Sequence, residues 1–118
     1  MALEFVRRLC MSFPHATEKV QWESLVFKIG GKIFAIAALE PTGVWLSFKC
    51  TPDDFAELTE RSGIVPAPYL ARAQWVGIET QDALTTAELK HYLRLSYDLV
   101  VAKLPKKTQA ALGARAGV

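Results

Sequence analysis

The feature that most constrains this chain is a pair of adjacent glycines, Gly30-Gly31, set between two apolar segments of equal length. Leu25-Val26-Phe27-Lys28-Ile29 precedes the pair and Lys32-Ile33-Phe34-Ala35-Ile36 follows it. A two-residue connection between antiparallel strands requires positive φ at both positions, which glycine adopts without a Cβ clash. The segment therefore predicts a tight β-hairpin with Ile29 opposite Lys32 and Phe27 opposite Phe34. Because side chains alternate along a strand, Leu25, Phe27, Ile29, Phe34 and Ile36 are expected on one face together with Lys32.

The hairpin needs further elements to bury that face. Thr17 to Trp22 reads as a short edge strand, Val44 to Cys50 as a third strand after the turn Pro41-Thr42-Gly43, and Trp75 to Glu79 as a last one. An amphipathic helix is expected from Leu3 to Ser12, ended by Phe13-Pro14, since a residue before proline disfavours the helical region. Thr51-Pro52-Asp53-Asp54 opens a second helix with a cap, a proline in the first turn and early acids, and Arg61-Ser62-Gly63 closes it. Ile64 to Gln74, with Pro66 and Pro68, reads as irregular. The last helix starts at Thr85-Thr86, carries Leu89, Leu93, Tyr97, Val100 and Leu104 on one face, and stops at Pro105. Lys106 to Val118 is a basic, small-residue tail with a frayed helix through Gln109 to Leu112.

The order α-β-β-β(-β)-α-β-α predicts an α+β two-layer sandwich, an antiparallel meander sheet with helices on one face. With 118 residues, 51% apolar and 22% charged, the chain suits a single domain over 1–118, its core about 3–105. Its apolar runs are of strand length, far short of the ~20 residues a membrane span needs. The N-terminus lacks the order of a signal peptide, so a cytoplasmic protein is expected. Cys10 and Cys50 are too few and too far apart for a disulfide framework or a zinc site, and read as buried thiols. Residues 1–85 hold 8 Lys/Arg against 10 Asp/Glu, and residues 86–118 hold 6 against 2, so positive charge gathers at the C-terminal end. Such an end either attracts nucleic acid or anionic surfaces, or offsets a helix dipole.

Alternation places Leu25, Phe27, Ile29, Phe34, Ile36, Val44, Leu46, Phe48, Cys50, Val76 and Ile78 under the helices. The other face then collects Val26, Lys28, Ile33, Ala35, Ala37, Trp45, Ser47, Lys49, Trp75 and Glu79. Two readings of this second face are open. A dimer partner or the C-terminal tail covers it, with tryptophans packed across strands. Alternatively it is a binding surface, with flat aromatics for stacking and lysines for anions.

The run Phe13-Pro14, Thr17-Glu18, Trp22, Phe27 and Gly31-Lys32-Ile33-Phe34-Ala35 resembles the first half of MmcQ/YjbR proteins. Leu46 to Lys49, Pro66-Ala67-Pro68-Tyr69, Trp75, Ser96-Tyr97 and Leu104-Pro105 continue the resemblance over about residues 3–107. It implies a compact two-layer fold like that of bacterial frataxin-like CyaY proteins. It also implies DNA binding, since members are commonly described so by structural similarity to winged DNA-binding domains. Many members carry a His and an Asn-Lys pair before the tryptophan. This chain has Leu70-Ala71-Arg72-Ala73-Gln74 there, leaving Arg72 as the one cation.

No cofactor, metal or catalytic motif stands out. The expected first helix offers Glu4 against Arg7 and Arg8, which does not make a frataxin-like iron ridge. His15 and His91 lack an i, i+4 ligand partner and read as surface histidines. Asp53, Asp54 and Glu57 are explained by capping, Gly30-Gly31 lacks the helix and Lys-Ser/Thr of a phosphate loop, and Ser47 and Ser62 lack a base. The expectation is a non-catalytic DNA-binding module using Lys28, Trp45, Lys49, Arg72, Trp75, Lys106 and Lys107. Its alternative is a protein-interaction or small-ligand module, or a homodimer contact, on the same tryptophan-bearing face, where Trp is a common anchor.

Overall fold

Gly30 and Gly31 take φ of 58° and 82° and join two strands in the computed structural model, which describes residues 2–41, 43–68 and 70–112. Residues 113–118 of the expected tail, Thr42 of the expected turn and Tyr69 lie outside that description. The described order is α1 (Ala2–Met11), β1 (Thr17–Gln21), β2 (Ser24–Ile29), β3 (Lys32–Ala38), β4 (Leu46–Lys49), α2 (Pro52–Leu58), β5 (Ile64–Pro66), a 3-10 turn at Ala71–Ala73, β6 (Trp75–Ile78), α3 (Thr86–Lys103) and α4 (Lys106–Leu112). The strands form one antiparallel sheet in the order β1-β2-β3-β4-β6-β5. Helix α3 lies against β2, β3 and β4, α1 against α3 and β3, and α2 against β5 and β6. This is the α+β arrangement that the element order predicts.

Local chemistry starts and stops the helices. The Thr51 side chain accepts from the Asp54 backbone N–H at 3.1 Å, and Pro52 occupies the first turn of α2. In α3, Thr85 and Glu88 form a reciprocal capping box, with bonds of 3.0 and 3.1 Å. Pro105 follows the end of α3, and a new helix begins at once. The Gln109 backbone N–H donates to the Pro105 carbonyl and its side chain to the Leu104 carbonyl. Helix α4 thus extends further toward the N-terminus than the frayed segment expected at Gln109 to Leu112.

Register sets the two faces. Leu25, Ala37, Leu46, Ile78 and Ile64 stand opposite one another across five strands, and all belong to the buried core under the helices. Phe27, Ala35, Phe48 and Val76 form the next such row. On the opposite face, Lys19, Val26, Ile36, Ser47, Gly77 and Val65 make one row through all six strands.

Three expectations from simple alternation are corrected. Phe27 pairs with Ala35 rather than Phe34, because the β2–β3 register shifts between Phe27 and Lys28 and Phe34 becomes an extra residue in β3. This moves Ala35 and Ala37 to the core side and Ile36 to the other face. Trp45 also changes face. Its backbone N–H donates to Ile78, which is already the partner of Leu46, so Trp45 and Leu46 together oppose one residue. Trp45 enters the core at 4% exposure, with its indole N–H on the Thr80 carbonyl. Finally, the stretch expected to be irregular contains β5. It is a three-residue edge strand ending in Pro66, too short to display alternation and placed where a missing N–H is tolerated.

Candidate anion-binding site

The extra residue in β3 has a consequence at the hairpin end of the sheet. The β3–β4 ladder runs through Ala37–Leu46, Ile36–Ser47 and Ala35–Phe48. In an unbroken ladder Phe34 and Lys49 would face each other next. Instead, Ser96 of α3 sits between them. Its hydroxyl donates to the Phe34 carbonyl at 2.6 Å and accepts from the Lys49 backbone N–H at 3.0 Å. Ser96 is fully buried, and one oxygen supplies both groups with a partner that satisfies the backbone. Strands β3 and β4 therefore part, while β4 stays joined to β6 through Lys49–Trp75 and the bond from Cys50 N–H to Gln74 O.

The parting interrupts a cross-sheet row. Thr17, Lys28 and Ile33 stand on one side of the gap, and Lys49 and Trp75 on the other. A cavity of about 270 Å³ opens there, lined by Lys32 and Ile33 of β3, Lys49 of β4, Trp75 of β6, and Val100 and Lys103 of α3. Three ammonium groups thus border a surface of one indole and two branched aliphatic side chains. Lys49 is the positioned cation, because its Nζ donates to the Ala73 carbonyl at 2.7 Å and keeps two further N–H groups. Partial burial pushes its ammonium below the ordinary lysine pKa, and the like charge of Lys103 pushes the same way.

The same end of the molecule holds further cations. Lys28 is the register partner of Ile33. Lys106 and Lys107 are exposed at the start of α4, which packs against the hairpin turn: a Cβ on Gly30 would meet Leu104 Cδ1 at 2.7 Å and Thr108 Cγ2 at 3.4 Å. Arg72 is exposed in the turn whose Ala73 carbonyl anchors Lys49. Six of the chain's eight lysines therefore share one corner, contributed by β2, β3, β4, α3 and α4. Among the described residues the ion pairs use Arg7, Arg61 and Arg94, and none uses these lysines.

Of the residues singled out from sequence, Lys49 and Trp75 line the cavity, and Lys28, Arg72, Lys106 and Lys107 belong to elements at the same end of the molecule without lining it. Trp45 is elsewhere, in the core. Trp75 is 7% exposed, so it presents a cavity wall and not a flat stacking surface. Sequence reasoning missed Lys32 and Lys103, which belong to elements far apart in the chain. It also missed the role of Ser96, although one signal was there: Ser96 is the only short polar side chain on a helix face made of Leu89, Tyr92, Leu93, Tyr97 and Val100.

A family model for YjbR matches residues 11–99. The chain belongs to the YjbR family. The match includes Lys32, Ile33, Lys49, Trp75 and Ser96, and stops just before Val100 and Lys103. Among solved structures, the chain is similar to a Deinococcus radiodurans protein with a DUF419 domain, at 28% identity and a TM-score of 0.84, over 94% of this chain and 87% of that one. It is also similar in fold to a Pseudomonas syringae protein, at 17% identity and a TM-score of 0.64, over 82% of this chain and 96% of that one. No curated protein matches it in sequence. Several of the residues that carry the sequence resemblance have structural work in this YjbR protein. The Tyr97 hydroxyl donates to the Pro14 carbonyl at 2.7 Å, Phe13 packs on Phe34 and Tyr97, and Leu104 seats the hairpin turn.

Proposed function

We propose that this protein binds nucleic acid by holding backbone phosphates at the lysine-bearing corner. The observation that carries the reading is the convergence of Lys28, Lys32, Lys49, Lys103, Lys106 and Lys107 on one end, with no acidic partner among the described ion pairs. Net charge is only +2, but local concentration of charge governs the potential that a polyanion meets. Arg72 adds a cation on the 3-10 turn at the same end. Phosphate contacts of this kind position a strand without reading its sequence. A cytosolic location goes with the reading, and no helix among the described residues is long and apolar enough to cross a membrane.

Fluorescence anisotropy of labelled duplex and single-stranded DNA tests it. With about four phosphate contacts, log K falls against log salt with a slope of roughly −3 to −4 on duplex DNA. The variant Lys106→Glu/Lys107→Glu lowers affinity and flattens that slope by about two, with fold and Tm unchanged. Absence of binding at low salt would remove the nucleic-acid reading.

A further inference from the structure

We infer that the cavity between β3 and β4 is a binding site for a small organic phosphate, with the phosphate on Lys32, Lys49 and Lys103 and an apolar body against Ile33, Trp75 and Val100. This shares Lys32, Lys49 and Lys103 with the nucleic-acid reading but does not rest on it. The cavity's volume and its apolar wall of Ile33, Trp75 and Val100 have no part in that reading. Three features separate a built site from a charged surface. The gap between the strands is held open by a fully buried side chain, Ser96, whose single hydroxyl bridges the two backbones. One of the three cations is fixed in direction by a backbone carbonyl, at 2.7 Å. The cations border an apolar wall, so the site offers one end to charge and the other to a ring or hydrocarbon body.

The volume of about 270 Å³ falls just below the range of drug-sized small-molecule sites, roughly 300–1,000 Å³. It suits a compact monoester better than a long polyanion. Bare phosphate would leave the indole and aliphatic wall unused, and a neutral ring would leave three ammonium groups uncompensated. Lys49 also gains from an anion, which offsets both its partial burial and the like charge of Lys103.

The test uses phenyl phosphate, inorganic phosphate and phenol as probes, followed by calorimetry and by amide shifts in two-dimensional NMR. Phenyl phosphate is expected to bind at one saturable site, about tenfold or more tighter than either fragment. The shifts should centre on Ile33, Lys49 and Trp75. Lys103→Glu, an exposed change that leaves the core intact, should weaken phenyl phosphate by about tenfold. Ile33→Trp fills the cavity without altering charge, so it should abolish phenyl phosphate binding and leave any DNA affinity as it was. No saturable binding up to ~10 mM, or binding that both variants leave unchanged, would overturn the site. The Lys106→Glu/Lys107→Glu variant separates the two readings. It should weaken DNA binding and leave phenyl phosphate binding unchanged.

Discussion

Replacing Ser96 by Ala isolates the contact that parts the sheet. The side chain is fully buried, so the substitution removes one oxygen and almost no volume. Two backbone groups lose their partner at once, the Phe34 carbonyl and the Lys49 N–H. A buried polar group left without a hydrogen bond costs about 1–3 kcal/mol, so the pair should destabilise the fold by about 2–6 kcal/mol. Urea unfolding followed by tryptophan fluorescence measures this directly. For a slope of about 2 kcal/mol/M, the midpoint should drop by roughly 1–3 M. A loss under about 0.5 kcal/mol at unchanged slope would refute the reasoning. It would mean that Phe34 and Lys49 pair directly once the hydroxyl is gone, with β3 and β4 closing like an ordinary ladder. Phenyl phosphate binding to the same variant would then fall as well, since closure removes the cavity.

Other consequences follow from single contacts. Glu88 is held below the usual carboxylate range, first by the Thr85 backbone N–H and then by the Arg61 guanidinium. A depressed folded pKa gives stability that is present above the unfolded value of ~4.3 and lost as pH falls through the folded one. Glu88→Gln should therefore cost up to about 1 kcal/mol at neutral pH, with the difference from wild type vanishing in acid, as urea midpoints across pH would show. Burial pushes the Cys10 and Cys50 thiols up to about 12. Native alkylation by iodoacetamide near pH 8 should run roughly a thousandfold slower than in denaturant, and equal rates would place the thiols at the surface. Trp22 and Glu23 hold positive φ of 54° and 60° in the β1–β2 turn, and Trp22 is 69% exposed. Substituting Asn-Gly there should raise stability by about 1–2 kcal/mol, and a decrease would show that the indole has a packing role.

Much of the fold is legible in short stretches because its causes are local. Gly30-Gly31 supplies the two positive φ values a tight hairpin requires, Thr85 and Glu88 cap α3 across three residues, and the prolines after Phe13 and Leu104 act within one turn. These signals depend on atoms a few bonds apart, so a reader of the chain can find them. The apolar spacing of α3 likewise marks its buried face before any partner is known.

The site depends on events that no single segment contains. The extra residue at Phe34 shifts the register, and with a period of two, one residue is enough to exchange the faces of everything beyond it. For that reason Ala35, Ala37 and Ile36 lie opposite to where alternation alone puts them. Trp45 turns inward through a second local irregularity, at its bond to Ile78. Ser96 is an ordinary helical serine until α3 lies across the sheet and delivers its hydroxyl to strands 62 and 47 residues away in sequence. The sequence by itself therefore determined α1, α2, α3, the hairpin and the α+β class, where propensity and caps act locally. Only the tertiary structure decided which lysines meet, because register and strand separation are settled by packing between distant elements.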